Sequence, residues 1–248
     1  RGRRVKVRFV LVRPRNPLNI GAASRAMANF GFGDLAVVKP YAPVWREAKS
    51  AVGGEPVLKA ARDFASVEDA LGDCALVVGT TAVRERRTDR PVVSLPDLGD
   101  YLRKHHPDIR NGTARAAILF GPEKTGLSGP YLARCQFWLT IPTDPACPSM
   151  NLGQAVALCA YEWARAGGTT APVNAGTDLP PATIEDRRRL ARHAAEAFDA
   201  VRFLPFLSAA EKIKKIRQRL LHWNLRRPDV ALLHGFFRFV LKDRPRAP

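Results

Sequence analysis

The sequence predicts an α/β protein, a mainly parallel sheet with helices on both faces, followed by a small all-helical extension. Three observations carry this. Short β-branched runs alternate with helical periods over the first two-thirds of the 248 residues, the pattern that produces parallel strands covered on both sides. A Gly/Thr/Pro stretch from Gly167 to Ala182 then has no hydrophobic period, as in a linker. Beyond it only helical periods remain. The expected division is a domain over 1–166, a linker over 167–182 and a helical extension over 183–248.

Each element has its own signal. Val5–Val12 is a β-branched run and reads as a strand. A Pro/Asn loop and an Ala-rich helix from about Ile20 to Asn29 follow, with Asn19 as the expected N-cap and Ile20, Ala23, Met27 and Phe30 as its core stripe. Gly31 and Gly33 stop that helix, and Leu35–Val38 reads as a short buried strand. Glu68–Leu71 falls in a short helix before a strand at Ala75–Val78. Pro96–His105 predicts a helix capped by Ser94 or Pro96. Ala116–Phe120 and Phe137–Ile141 read as strands, with a short helix at Tyr131–Arg134 between them. Asn151–Ala166 is the strongest helix, because Leu152, Val156, Cys159 or Ala160, and Trp163 share one face. In the tail, Thr183 with Asp186 three residues on caps a helix over Ile184–Phe198. Helices at about Ala209–Trp223 and Val230–Lys242 complete a unit of roughly 65 residues, marginal by itself.

Forty Lys and Arg against 23 Asp and Glu give a net charge of +17. Two runs, Arg1–Arg15 and Lys212–Arg227, contain no acid. Such runs are the electrostatic footprint of a polyanion binder. No apolar run approaches the roughly 18 residues of a membrane span, and the apolar stretch Phe9–Val12 is too short for a signal-peptide core. No membrane partner and a cytoplasmic location are therefore expected. Cys74, Cys135, Cys147 and Cys159 stand far apart, without CxxC spacing, and the five His add no ligand pattern. Neither a metal site nor a disulfide framework is expected.

Three segments have compositions that packing does not require. In Asn16–Arg25, Arg25 is the only charge between Asn19 and Gly33. It either points toward the crevice at the strand ends or is a solvated surface residue. In Ile118–Ser128, Gly121 and Gly126 bracket Glu123, a candidate acceptor for donors from a neighbouring loop, or the segment is a plain strand-to-helix turn. In Ile141–Gln154, three prolines stiffen a loop before Ser149 or Asn151 caps the long helix. A rigid loop of this kind suits recognition of a flat heterocycle by main-chain groups.

Together, in this order and separation, the three segments resemble the motifs of the knotted SPOUT superfamily, TrmH-like branch. Gly79-Thr80-Thr81-Ala82 followed by Arg84, Arg86 and Arg87, the Ser149–Glu162 motif and the basic helical tail are most similar to its TrmJ family. The resemblance covers about residues 7–166. It implies a deep trefoil knot, a homodimer whose active sites take residues from both subunits, and S-adenosylmethionine as methyl donor. The implied reaction is 2′-O-methylation of a tRNA anticodon-loop ribose, at nucleotide 32, on cytidine, uridine or both. A relative acting on another tRNA site or on rRNA, or a catalytically silent RNA-binding homologue, is the alternative.

By the family's pattern Arg25 is the catalytic arginine, with Asn19, Ser149 and Asn151 completing the catalytic set. The cofactor would lie against Thr80, Thr81, Ala82, Gly121, Glu123, Ile141, Pro148, Ser149 and Met150. Pro148 stands where relatives often carry a small polar residue, which removes one donor. Contacts to the anticodon arm are expected from Arg84, Arg86 and Arg87 with the basic N-terminus, and contacts to another part of the tRNA from Lys212, Lys214, Lys215, Arg217, Arg219, Arg226 and Arg227 in the tail. Trp223 could stack a base, but its apolar surroundings favour a core position.

Overall fold

The computed structural model describes residues 5–41, 45–82, 90–167 and 179–242. Seven strands make one sheet: β1 (Lys6–Val12), β2 (Asp34–Val38), β3 (Arg62–Phe64), β4 (Leu76–Thr80), β5 (Val92–Ser94), β6 (Arg115–Phe120) and β7 (Phe137–Thr140). Their spatial order is β3-β2-β1-β6-β4-β7-β5, and all the pairings are parallel. Around them run α1 (Pro17–Asn29), α2 (Glu55–Ala60), α3 (Val67–Leu71), α4 (Leu98–His105), α5 (Pro107–Arg110), α6 (Gly129–Leu132) and α7 (Leu152–Ala166). The sheet is covered on both faces. Val7, Phe9 and Leu11 of β1 are buried on one side and Val10 and Val12 on the other, as a parallel sheet buried on both faces requires. Phe9 and Phe120 stack across β1 and β6 with ring centroids 6.1 Å apart.

Several boundaries differ from the sequence reading. The first helix begins at Pro17, three residues early, with Asn16 as its N-cap accepting from the Leu18 N–H at 2.9 Å. Pro17 in the first turn is the reason, since its fixed φ and missing N–H suit that position. The helix expected at Pro96–His105 opens as a 3-10 turn at Leu95–Asp97 before α4, with no side-chain cap at Ser94. The helix expected at Tyr131–Arg134 starts at Gly129 because Pro130 takes its first turn. Strands β3 and β5, three residues each, are too short to show a period.

Two cations expected at the surface are spent inside the protein. Arg8, from the first acid-free run, is 1% exposed. It donates to Asp34 at 3.1 Å, to the Ala70 carbonyl at 2.7 Å and to Asp73 at 2.6 Å. Burial alone would lower its pKa, but Asp73 and Asp34 outweigh that and hold it raised. Lys212 is the second.

The chain divides into two compact units, Arg1–Ala175 and Gly176–Pro248. In the second, α8 (Ile184–Ala200), α9 (Ala209–His222) and α10 (Arg227–Lys242) surround Ala182, Leu190, Leu220, Leu225 and Val230. Capping boxes start α8 at Thr183–Asp186 and α9 at Ser208–Glu211. Lys212 is 3% exposed and paired with Asp199, so it packs α9 against α8 and is no RNA ligand. Trp223 is 52% exposed, which corrects the core position expected for it: α9 has ended at His222, and the residue turns out of the helical stripe.

Candidate functional site

Neighbouring parallel strands release their loops on the same edge of a sheet. Here β6, β4 and β7 are neighbours, so segments distant in sequence meet. They enclose a cavity of about 280 Å³. From β4 come Thr80, Thr81 and Ala82; from β6, Gly121, Glu123 and Leu127; from β7, Ile141, Pro148, Ser149 and Met150. All nine residues expected to hold a cofactor therefore line one cavity. Its wall is mixed, with Leu127, Leu139, Ile141 and Leu152 beside the hydroxyls of Thr80, Thr81, Thr143 and Ser149. That combination suits a flat ring with polar substituents.

Gly121 shapes the cavity. A Cβ there would lie 2.1 Å from the Gly126 carbonyl carbon and 2.2 Å from the Leu127 nitrogen. The loop after β6 folds back onto the strand end, and only glycine leaves it room. Gly126, with φ +62, completes the reversal.

Glu123 ties the three segments together. Its carboxylate accepts from the main-chain N–H of Arg15 and of Asn16, each at 3.0 Å, and from Asn19 Nδ2 at 3.0 Å. Asn19 Oδ1 in turn accepts from Asn151 Nδ2 at 2.9 Å. Asn151 Oδ1 caps α7 by accepting from the Gly153 N–H at 2.9 Å. Partial burial pushes the Glu123 carboxyl up, but the bonds from Asn19, Asn16 and Arg15 outweigh it and hold its pKa below the ordinary carboxylate range. Asn19 is thus a bridging residue one turn into α1 and not its cap. The Asn16-Pro17 pair was the sequence signal for the true cap. Gly153 lets α7 approach α1 closely, since a Cβ there would lie 2.7 Å from the Ala22 methyl.

Arg25 is exposed, lies outside the cavity lining and has no side-chain partner among the described residues. Of the two readings left open for it, exposure agrees with the surface one. Because α1 starts at Pro17, Arg25 stands more than two turns along it.

Among the tail cations, Lys214, Lys215 and Arg219 are exposed. Arg217 is half-buried and already partnered. Arg226 donates to the Leu179 carbonyl at 3.1 Å, and Arg227 stands 3.5 Å from Asp186. Arg84, Arg86, Arg87 and most of the expected linker lie outside the described residues. Among the described residues there is no cluster of three His, Cys, Asp or Glu able to hold a metal ion. No described helix is long and apolar enough to cross a membrane.

Residues 6–161 match the model of the SpoU rRNA Methylase family. Among curated proteins, the chain is 37% identical over 158 residues to the tRNA (cytidine/uridine/adenosine-2′-O-)-methyltransferase TrmJ of Pseudomonas aeruginosa, covering 63% of this chain and 60% of that protein. It is 26% identical to the tRNA (cytidine/uridine-2′-O-)-methyltransferase TrmJ of Cronobacter sakazakii, over 98% of each chain. Among solved structures, TrmJ from Z. mobilis superposes with a TM-score of 0.75 at 32% identity, covering 94% of this chain and 98% of that one.

Proposed function

This chain belongs to the SpoU rRNA methylase family and is TrmJ-like within it, and on that premise we propose that it is an S-adenosylmethionine-dependent tRNA ribose 2′-O-methyltransferase. The target in this reading is the anticodon-loop ribose at nucleotide 32, of cytidine, uridine or both. The observation that carries it is the cavity at the ends of β6, β4 and β7, braced by the Glu123–Asn19–Asn151 chain of hydrogen bonds. The names of the full-length TrmJ relatives support the substrate.

The cavity fits the proposed cofactor in two respects. Gly121 lets the loop after β6 fold tightly against the strand end, so that loop itself walls the cavity. The apolar walls suit an adenine ring, and the hydroxyls beside them suit a ribose. S-adenosylmethionine held there would supply an electrophilic methyl on a sulfonium. The protein's part is then mainly to position the ribose hydroxyl in line with it. A guanidinium hardly deprotonates in a protein. Arg25 therefore stabilises the alkoxide as it forms and clamps an adjacent phosphate, and the proton leaves to phosphate or water.

Arg25 stands away from the cavity of its own chain, which supports a homodimer in which each subunit's arginine serves the other's cavity. Leu18 at 55%, Leu158 at 39% and Tyr161 at 49% exposure leave apolar surface on the packed pair α1 and α7 for such a partner. The order β6-β4-β7, an earlier strand between two later ones, is compatible with the trefoil knot that belongs to this reading, as does a cytoplasmic location.

The test is transfer of labelled methyl from S-adenosylmethionine to an unmodified tRNA transcript. Wild type transfers label; Arg25→Ala falls by at least about 100-fold, the scale of losing one transition-state donor, while cofactor still raises its Tm. Near-full activity in Arg25→Lys overturns the role given to the planar guanidinium.

A further inference from the structure

Beside the cavity, the ends of β1 and β2 carry a feature that the proposed chemistry does not use. The two strands are paired in register as far as Val12 and Val38, so the residues after them, Arg13 and Lys39, are neighbours. Both adopt left-handed backbone conformations, with φ of 51 and 48. The Arg13 N–H donates to the Val38 carbonyl at 2.7 Å and fixes the pair. Glycine or asparagine would hold these turns with less strain, yet each position has a long cation. Strain retained at such positions points from geometry to function.

Arg15 and Tyr41 complete the cluster. The Arg15 guanidinium lies over the Tyr41 ring, 5.2 Å from its centroid. The Tyr41 N–H donates to the Pro14 carbonyl at 3.0 Å and anchors the ring beside β1. Tyr41 is 75% exposed. Arg13, Arg15 and Lys39 are exposed and have no ion pair among the described residues. The adjacent carboxylate, Glu123, is occupied by the Arg15 and Asn16 N–H groups and by Asn19. Glu123, which holds the Arg15 N–H, also lines the cavity and so links the two.

Resting on the RNA-methylating reading above, we propose that Arg13, Arg15, Lys39 and Tyr41 form an RNA subsite at the mouth of the cavity. The three cations take backbone phosphates, and Tyr41, backed by Arg15, stacks an unpaired base. Cations beside an exposed aromatic ring are the combination that grips single-stranded RNA. Phosphate contacts set affinity and register, and the ring favours a looped-out nucleotide over a paired one.

The experiment measures binding of a full-length unmodified tRNA transcript by the full-length protein across a series of KCl concentrations, with labelled-methyl transfer run in parallel. Arg13→Gly combined with Lys39→Gly raises Tm, because the left-handed strain is relieved, and still weakens binding about tenfold. The slope of log K against log salt becomes shallower by about 1.5, the value for two lost phosphate contacts. Tyr41→Phe binds like wild type, and Tyr41→Ala loses about tenfold. A glycine double variant with raised Tm and unchanged affinity and slope overturns the subsite. So does Tyr41→Ala binding within twofold of wild type. If wild type methylates tRNA while these variants keep full affinity, the subsite alone fails. If wild type binds no tRNA, the functional reading fails and the subsite with it.

Discussion

Glu123 shows how much can hang on one side chain. Its two oxygens accept from two main-chain N–H groups of the first loop and from Asn19, so they hold that loop against the cavity. Glu123→Gln keeps the shape but loses the charge and presents an NH₂ to N–H donors. After discounting for partial exposure, about 1 kcal/mol is lost at pH 7, a Tm drop of roughly 2–4 °C. Because the folded pKa lies below the ordinary value, this contribution is full above the unfolded pKa and is lost as pH falls through the folded one. Melting both proteins from pH 7 to pH 3 should therefore show the gap narrowing below about pH 4. A gap independent of pH would contradict the role. The acceptor role of Glu123 was legible in its loop. The internal use of Arg8 and Lys212 was not, since their partners Asp73 and Asp199 are reached only through the fold.

Among the elements, α7 was read correctly, with Asn151 among its proposed caps, because fifteen residues give a clear period and a clear cap. Asn151 does two jobs: its Oδ1 caps the helix and its Nδ2 donates to Asn19. Two substitutions separate them. Asn151→Ala loses both and should destabilise by about 1 kcal/mol or somewhat more. Asn151→Asp keeps the cap acceptor, so its Tm stays near wild type. It loses the donor to Asn19, and cofactor binding should weaken about tenfold, read by calorimetric titration with S-adenosylmethionine. Equal binding by Asn151→Asp and wild type would show that the link between α7 and the first loop does not shape the cavity. What escaped the sequence at this scale was short: β3, β5, α2 and α5 have three to six residues each. Segments of that length are held by tertiary contacts and show no period of their own.

For the whole molecule, alternation announced the parallel sheet, but periodicity could not supply the order β3-β2-β1-β6-β4-β7-β5. Strand order is decided by which loops and helices cover which edge, and here the resemblance carried by three loops reached further than any pattern. Those loops were legible because glycine, proline and a lone carboxylate gather in them, and Gly121 and Gly126 are in fact required by the close reversal after β6. Arg25 was picked out by its isolation, but that it lies outside the lining of its own chain's cavity was not readable from spacing. The +17 charge overstated the cations available to a polyanion, since Arg8 and Lys212 are buried and paired with carboxylates. The central claim is that this fold places a ribose hydroxyl against a methyl donor. Its most direct test is to map the product: incubate an unmodified tRNA with the protein and S-adenosylmethionine, then hydrolyse with alkali and find the resistant linkage. One resistant linkage at the start of the anticodon loop, absent with Arg25→Ala, is the expected result. A methyl on a base, with every linkage still labile, would contradict it.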